Sequence, residues 1–184
     1  MKSVHDLRFA TSLTPLGPLL LAATARGVCA LLLGDEAGAA GLQARFPQAC
    51  PTEDRKGLAP LLARVCDWLA QPGGALELDL DLQGTPFQRR VWRALQKVPA
   101  GATVSYAELA RRLRLPRAIR AVAGACARNP VALVVPCHRV VRSDGGLAGY
   151  RWGVERKREL LSREAAFNPP PAAVQSFARR ARRS

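Results

Sequence analysis

The chain has 184 residues, of which 48% are apolar and 23% charged, with a net charge of +14. It can therefore bury a substantial core as one large domain or two small ones. No apolar run approaches the roughly 18 residues a helix needs to cross a bilayer, so a soluble, intracellular protein of the cytoplasm is expected, with no membrane partner. The charge is uneven: residues 1–84 carry 7 Lys+Arg against 9 Asp+Glu, and residues 85–184 carry 21 against 5. An evenly arginine-rich composition would not leave the first half near neutral. A basic nucleic-acid-binding module on a neutral scaffold would.

In chain order, residues 19–24 and 28–33 read as two strands around the turn Ala25-Arg26-Gly27, a hairpin pattern. Leu19-Leu20-Leu21-Ala22-Ala23 is too short, and too closely preceded by charge, to be a signal peptide. A short helix is expected near 36–46. Over 58–70, Leu58, Leu61, Leu62, Val65, Cys66 and Leu69 fall on one helical face. Residues 76–82 alternate strictly between Leu and acid and predict a strand with one buried face. Residues 1–84 thus form an expected α/β scaffold domain.

After Gly84 the chain turns mainly helical. Thr85-Pro86-Phe87-Gln88 has a capping threonine, proline at the first helical position and a glutamine to close a capping box. Phe87, Val91, Trp92 and Leu95 follow at helical spacing, with Trp92 assigned to the core. Ser105-Tyr106-Ala107-Glu108 is a second capping box, opening a helix to Arg112 that Leu115-Pro116 breaks. A further helix is expected over 117–128. The pair makes a helix-turn-helix candidate. Its second member carries Arg117, Arg120 and Arg128 among small residues, a face that suits a DNA groove or tight intramolecular packing equally. A last amphipathic helix is expected over 154–166. These elements define a second domain, 85–167, and leave 168–184 as a basic tail expected to be disordered.

The chemistry centres on Pro136-Cys137-His138-Arg139-Val140. An apolar run, 131–135, leads to a proline and then to a thiol beside an imidazole. Thiolate is the nucleophilic form, and a free cysteine at neutral pH is only a few per cent ionised, so an adjacent base matters. If the segment were extended, neighbouring side chains would point apart, and His138 would need a turn or a bridging water to reach Cys137. The carboxylate candidates in this half are Glu108, Asp144, Glu155, Glu159 and Glu164. Five cysteines occur, at 29, 50, 66, 126 and 137, with no CxxC pair. That argues against a disulfide framework and for a reducing compartment. Cys29, Cys50, Cys66 and His5 form no metal-ligand pattern, so no metal and no cofactor are expected.

Asn129-Pro130, the run into Pro136-Cys137-His138-Arg139-Val140, and Gly149-Tyr150-Arg151-Trp152-Gly153 together resemble the O6-alkylguanine-DNA alkyltransferases. The Tyr-Arg-Trp-Gly stretch is most like the C-terminal half of Ada-type proteins. The resemblance is continuous from about 85 to 165 and weaker before that. It implies an α+β protein: a small ribonuclease H-like N-terminal domain, then a mainly helical winged-helix or helix-turn-helix-like domain carrying the cysteine. It also implies irreversible transfer of an alkyl group from O6-alkylguanine in double-stranded DNA to Cys137 by a monomer that acts once, with O4-alkylthymine left open as a second substrate. By the same resemblance, His138 deprotonates the thiol through a water, Glu164 orients His138, and Asn129 braces the turn. Tyr106 lies near the flipped nucleotide, Arg120 fills the vacated stack, and Val140, Tyr150 and Arg151 line the guanine pocket. Arg117 and Arg128 are further DNA-contact candidates. A non-enzymatic lesion-binding relative would lack Cys137, a helix-turn-helix regulator leaves the Cys-His-Glu set unused, and a cysteine hydrolase would need an acyl substrate.

Overall fold

The computed structural model describes residues 6–168; the basic tail lies outside them apart from Asn168. The first layer is a four-stranded sheet. β1 (Arg8–Thr14) turns into β2 (Gly17–Thr24), which turns into β3 (Gly27–Leu33). Both pairings are antiparallel, whereas β4 (Thr52–Glu53) adds to β1 in parallel, giving the order β3-β2-β1-β4. β2 and β3 are nearly continuous runs of Leu, Ala and Val because both of their faces are covered. The short helix α1 (Ala39–Arg45) and the longer α2 (Arg55–Ala70) complete this half. α2 opens on Asp54, whose carboxylate accepts from Gly57 N at 2.8 Å, and it packs on β1.

Residues 76–82 do not form the expected strand. Leu76, Leu78 and Leu80 do turn inward while Glu77 and Asp79 face solvent, but the segment meets β3 only at one bridge, Val28 with Leu80. The reason is competition for the β3 edge: beyond Val28, the same edge is taken by Val131, which bridges to Leu31. Alternation reports a half-buried segment; it does not supply a partner.

The second half begins with α3 (Pro86–Leu95), which has the full capping box: Gln88 N donates to Thr85 Oγ1 at 3.2 Å and Thr85 N to Gln88 Oε1 at 2.9 Å. Trp92 is 1% exposed and its Nε1 donates to Ala125 O at 2.9 Å. β5 (Val104–Ser105) leads into α4 (Tyr106–Arg112). Here the capping box is only half made. Ser105 accepts from Glu108 N, but the Glu108 carboxylate pairs with Arg112 at 3.1 Å and Arg111 at 2.6 Å, the favourable charged partners one turn along. α5 spans Ile119–Ala127, so Arg117 stands before it and Arg128 caps it. The turn from Leu115 to Ala118, closed by Ala118 N to Leu115 O at 2.9 Å, consumes the expected first turn.

A 3-10 turn, Cys137–Arg139, runs into β6 (Val140–Val141), which pairs in parallel with β5. α6 (Val154–Phe167) closes the fold. Gly27 is one position where the backbone demands glycine: its φ is +137°, and a Cβ there would sit 2.4 Å from Asp79 O. Gly27→Ala is therefore expected to lower unfolding free energy by roughly 1–3 kcal/mol in urea titrations, by forcing the 79–81 segment off β3.

Candidate active site

Cys137 is delivered by a strained, heavily braced turn. Leu133 adopts φ +68°, a left-handed conformation that costs a non-glycine residue roughly 1–2 kcal/mol. Asn129, completely buried, holds the turn from inside: its Oδ1 accepts from Val131 N at 2.9 Å, and its Nδ2 donates to Val135 O at 2.7 Å and to Cys137 Sγ at 3.2 Å. The scaffold holds the turn from outside. Leu31 N donates to Pro130 O at 3.0 Å and Ala132 N to Leu31 O at 2.9 Å. Arg45 of α1 reaches across to the carbonyls of Arg128 (3.3 Å) and Asn129 (3.2 Å).

The motif is helical at Cys137-His138, not extended. His138 and Glu164 are both fully buried, and His138 Nε2 lies 2.8 Å from Glu164 Oε1. Glu164 also accepts from Arg139 Nε (3.1 and 3.0 Å) and Nη2 (2.7 Å), and from Gly101 N at 3.3 Å. Arg139 Nη1 donates to Val98 O. Burial by itself would raise the Glu164 carboxyl, but hydrogen bonds and charges from His138 and Arg139 outweigh it and bring the group down to about 2. An ionised Glu164 can only accept, so the shared proton belongs to His138 Nε2. The other ring nitrogen, Nδ1, is then a bare acceptor, with no hydrogen-bond partner among the described residues. Burial pulls the His138 pKa below its ordinary value against the opposing pull of Glu164, so the ring rests neutral.

Burial also pushes the Cys137 thiol up to about 11, in spite of the Asn129 amide and the nearby Lys157 charge. The cysteine thus rests as a thiol. It opens onto a cavity of about 340 Å³ lined by Tyr106, Cys126, Ala127, Cys137, Gly149, Tyr150 and Arg151. Tyr106 is half-buried, and burial raises its hydroxyl to about 12. The Tyr150 hydroxyl is buried without a partner among the described residues, and its ring meets Trp152 edge-on at 5.3 Å. Arg151 is held by Glu36 at 2.8 and 3.0 Å. Val140, expected to line this pocket, is instead completely buried in β6, and its carbonyl accepts from Lys157 Nζ at 2.6 Å. Arg120 and Arg128 are exposed on or at the end of α5, beside exposed Ala121 and Ala127, and Arg117 is exposed on the turn before it.

Two residues of the site are absent from the sequence expectations. Arg139 lies inside the motif but reads as a surface cation until its burial is known. Lys157 reads as part of the polar face of the last helix, yet it is fully buried, donating to Val140 O and, at 3.2 Å, to Ala148 O. Among the described residues, no group of three or more His, Cys, Asp or Glu side chains could hold a metal ion, and the cysteines are all free.

Residues 86–166 match the model of the 6-O-methylguanine DNA methyltransferase DNA-binding domain. The chain is 47% identical over 161 residues to the bifunctional transcriptional activator/DNA repair enzyme Ada of Escherichia coli, covering 86% of this chain and 46% of that protein. It is 44% identical over 118 residues to a methylated-DNA–protein-cysteine methyltransferase of Mycolicibacterium paratuberculosis, covering 64% and 72%. The chain therefore spans about half the length of its Ada relatives and most of the shorter one. Among solved structures, it is similar to Mycobacterium tuberculosis OGT in complex with DNA, with TM-score 0.77, 35% identity, and coverage of 92% of this chain and 99% of that one.

Glu164→Gln is expected to destabilise the protein by about 3–5 kcal/mol at neutral pH, because it strands the buried Arg139 guanidinium. The pH dependence has a definite sign. A carboxyl ordinarily near 4.5 and held at about 2 in the fold stabilises above pH 4.5 and loses that contribution as pH falls towards 2. Urea titrations at stepped pH should show the wild type losing stability across that window and Glu164→Gln losing markedly less.

Proposed function

The chain belongs to the 6-O-methylguanine DNA methyltransferase family, and we propose that it repairs O6-alkylguanine in double-stranded DNA by taking the alkyl group onto Cys137. The observation that carries this is the buried Cys137 thiol lining a cavity, with a neutral His138, oriented by Glu164, directly beside it in the chain. A water accepting the thiol proton and passing its own to His138 Nδ1 would generate the thiolate in place. The sulfur then attacks the alkyl carbon, an S–C bond forms, and the C–O6 bond breaks with its electron pair going to the guanine. Tyr106, kept protonated by burial, supplies the proton that the departing base takes up. Nothing in the site removes the thioether, so each molecule acts once.

O6 of guanine is inaccessible within a stacked duplex, and flipping the nucleotide out costs a few kcal/mol. The exposed Ala121 and Ala127 let α5 lie close in a groove, Arg120 is placed to enter the gap, and Arg117 and Arg128 are placed for phosphates. Tyr150 and Arg151 would line the pocket for the flipped base. The order β3-β2-β1-β4 with its parallel β1–β4 pair supports a ribonuclease H-like reading of residues 1–84. The α4–turn–α5 unit followed by β6 supports a helix-turn-helix or winged-helix reading of 85–167. The proposed protein works as a monomer in the cytoplasm, without cofactor.

Intact-mass analysis after incubation with a duplex containing O6-methylguanine should show one added methyl, mapping to Cys137, with repair stoichiometric in protein. An unchanged mass would exclude the transfer. Cys137→Ala should retain lesion binding and lose all transfer. Arg120→Ala should slow single-turnover transfer roughly tenfold or more, the scale of losing about 1.4 kcal/mol from the flipped state, without changing the mass of the final adduct.

A further inference from the structure

α3 and the turn that follows it carry a row of cations that the proposed reaction does not use. Arg89, Arg90, Arg93 and Lys97 are all exposed. They line a groove of about 700 Å³ with Arg112 and Leu113 at the end of α4. α3 contains no acid. Among the described residues, Arg89, Arg90, Arg93 and Lys97 make no ion pair, and Arg112 alone of the groove's cations meets a carboxylate, Glu108. Arg90 donates to Leu113 O, which pins one guanidinium across the groove floor.

The opposite side of α3 is apolar: Val91, Trp92 and Leu95 are buried, and Trp92 is hydrogen-bonded to α5 through Ala125 O. At 3.6 residues per turn, Arg89, Arg93 and Arg90 lie about 60°, 100° and 160° round the helix from Trp92. The cations therefore occupy the flank of α3 turned towards Arg112 and Leu113, beside the face that packs on α5. Arg89 and Arg93 are four residues and about 6 Å apart along the helix, and Lys97 follows in the turn just past its C-cap, Gln96. One strand of B-DNA presents a phosphate every ~3.4 Å along the axis, so the row spans several phosphates. Among the described residues, no aromatic side chain lines the groove. It suits guanidinium-to-phosphate contacts that ignore sequence.

We propose that the α3–α4 groove is a second DNA-backbone site, which holds a separate stretch of duplex while α5 engages the lesion. It rests on the reading above only in taking DNA as the partner of α5. The protein would then bridge two duplex segments, which raises its local encounter rate with lesions on crowded DNA.

The test loads full-length protein onto a bead-bound undamaged duplex at low salt and measures capture of a second, labelled duplex. Wild type should capture it, with an affinity that falls steeply as salt rises. The double variant R93E/K97E should capture at least tenfold less, and R93Q/K97Q should fall between. Both should melt as wild type does and should methylate Cys137 on a short lesion duplex at a rate within twofold of wild type. Failure of wild type to capture the second duplex would overturn the proposal. So would slower short-duplex transfer by R93E/K97E, which would put these cations on the lesion duplex itself. Loss of capture on replacing Arg179, Arg180, Arg182 and Arg183 with Ala, with capture intact in R93E/K97E, would transfer the role to the tail. Because alkyl transfer is scored separately, an inactive acceptor cysteine and an absent second site give different results.

Discussion

One buried carboxylate organises the catalytic half. Glu164 has no contact with solvent, so its charge persists only because His138, Arg139 and the Gly101 amide all donate to it. A carboxylate stripped of water without such partners would neutralise. Satisfying it fixes much else. α6 must arrive with Glu164 facing inward, and the Gly101 turn must close against it. Residues 137–139 must coil, because consecutive residues of an extended chain could not both reach one carboxylate. That coil brings the imidazole and the thiol onto the same tight turn. The ionised carboxylate also sets the histidine tautomer, leaving Nδ1 as an acceptor.

The second constraint comes from the scaffold. The edge of β3 binds Pro130 and Ala132, and Arg45 holds the two carbonyls just before them. Asn129 completes the brace from within. The near-neutral first half thus acts as a jig for the loop, and the basic second half faces the proposed partner. The thiol lies just beyond that loop, raised to about 11 by burial. Such a group is held as the protonated thiol, the less nucleophilic form. In the proposed reaction it becomes a nucleophile only when proton removal and substrate coincide in the cavity.

Much of this was legible in the sequence because it is local. Thr85 and Gln88 cap α3 as their spacing requires, Trp92 is in the core, and the β2–β3 hairpin falls where Ala25-Arg26-Gly27 marks it. The pairing of His138 with Glu164 came through family resemblance, since a separation of 26 residues carries no local signal. What stayed hidden was non-local. β1 has too few apolar residues to announce itself and exists because β2 pairs with it. In residues 76–82 the leucines turn inward, but Asp81 is buried as well, accepting from Thr24 and Arg26, and the β3 edge the segment needed was already shared with the active-site loop. Arg139 and Lys157 look like surface cations because only the assembled fold shows that their charged ends are buried with hydrogen-bond partners. Val140 is adjacent to the motif, yet strand pairing turns it into the core rather than the cavity.

Glu164 sets the His138 tautomer, with the proton on Nε2 and a bare Nδ1, and burial keeps the ring neutral. The chain has only two histidines, so nitrogen-15 NMR of the imidazoles in the full-length protein can read this directly, using His5→Gln to assign them. The His138 ring should stay neutral below its ordinary pKa of about 6.5, with Nε2 protonated and Nδ1 unprotonated. A ring that titrates near 6.5, or that carries its proton on Nδ1, would contradict it.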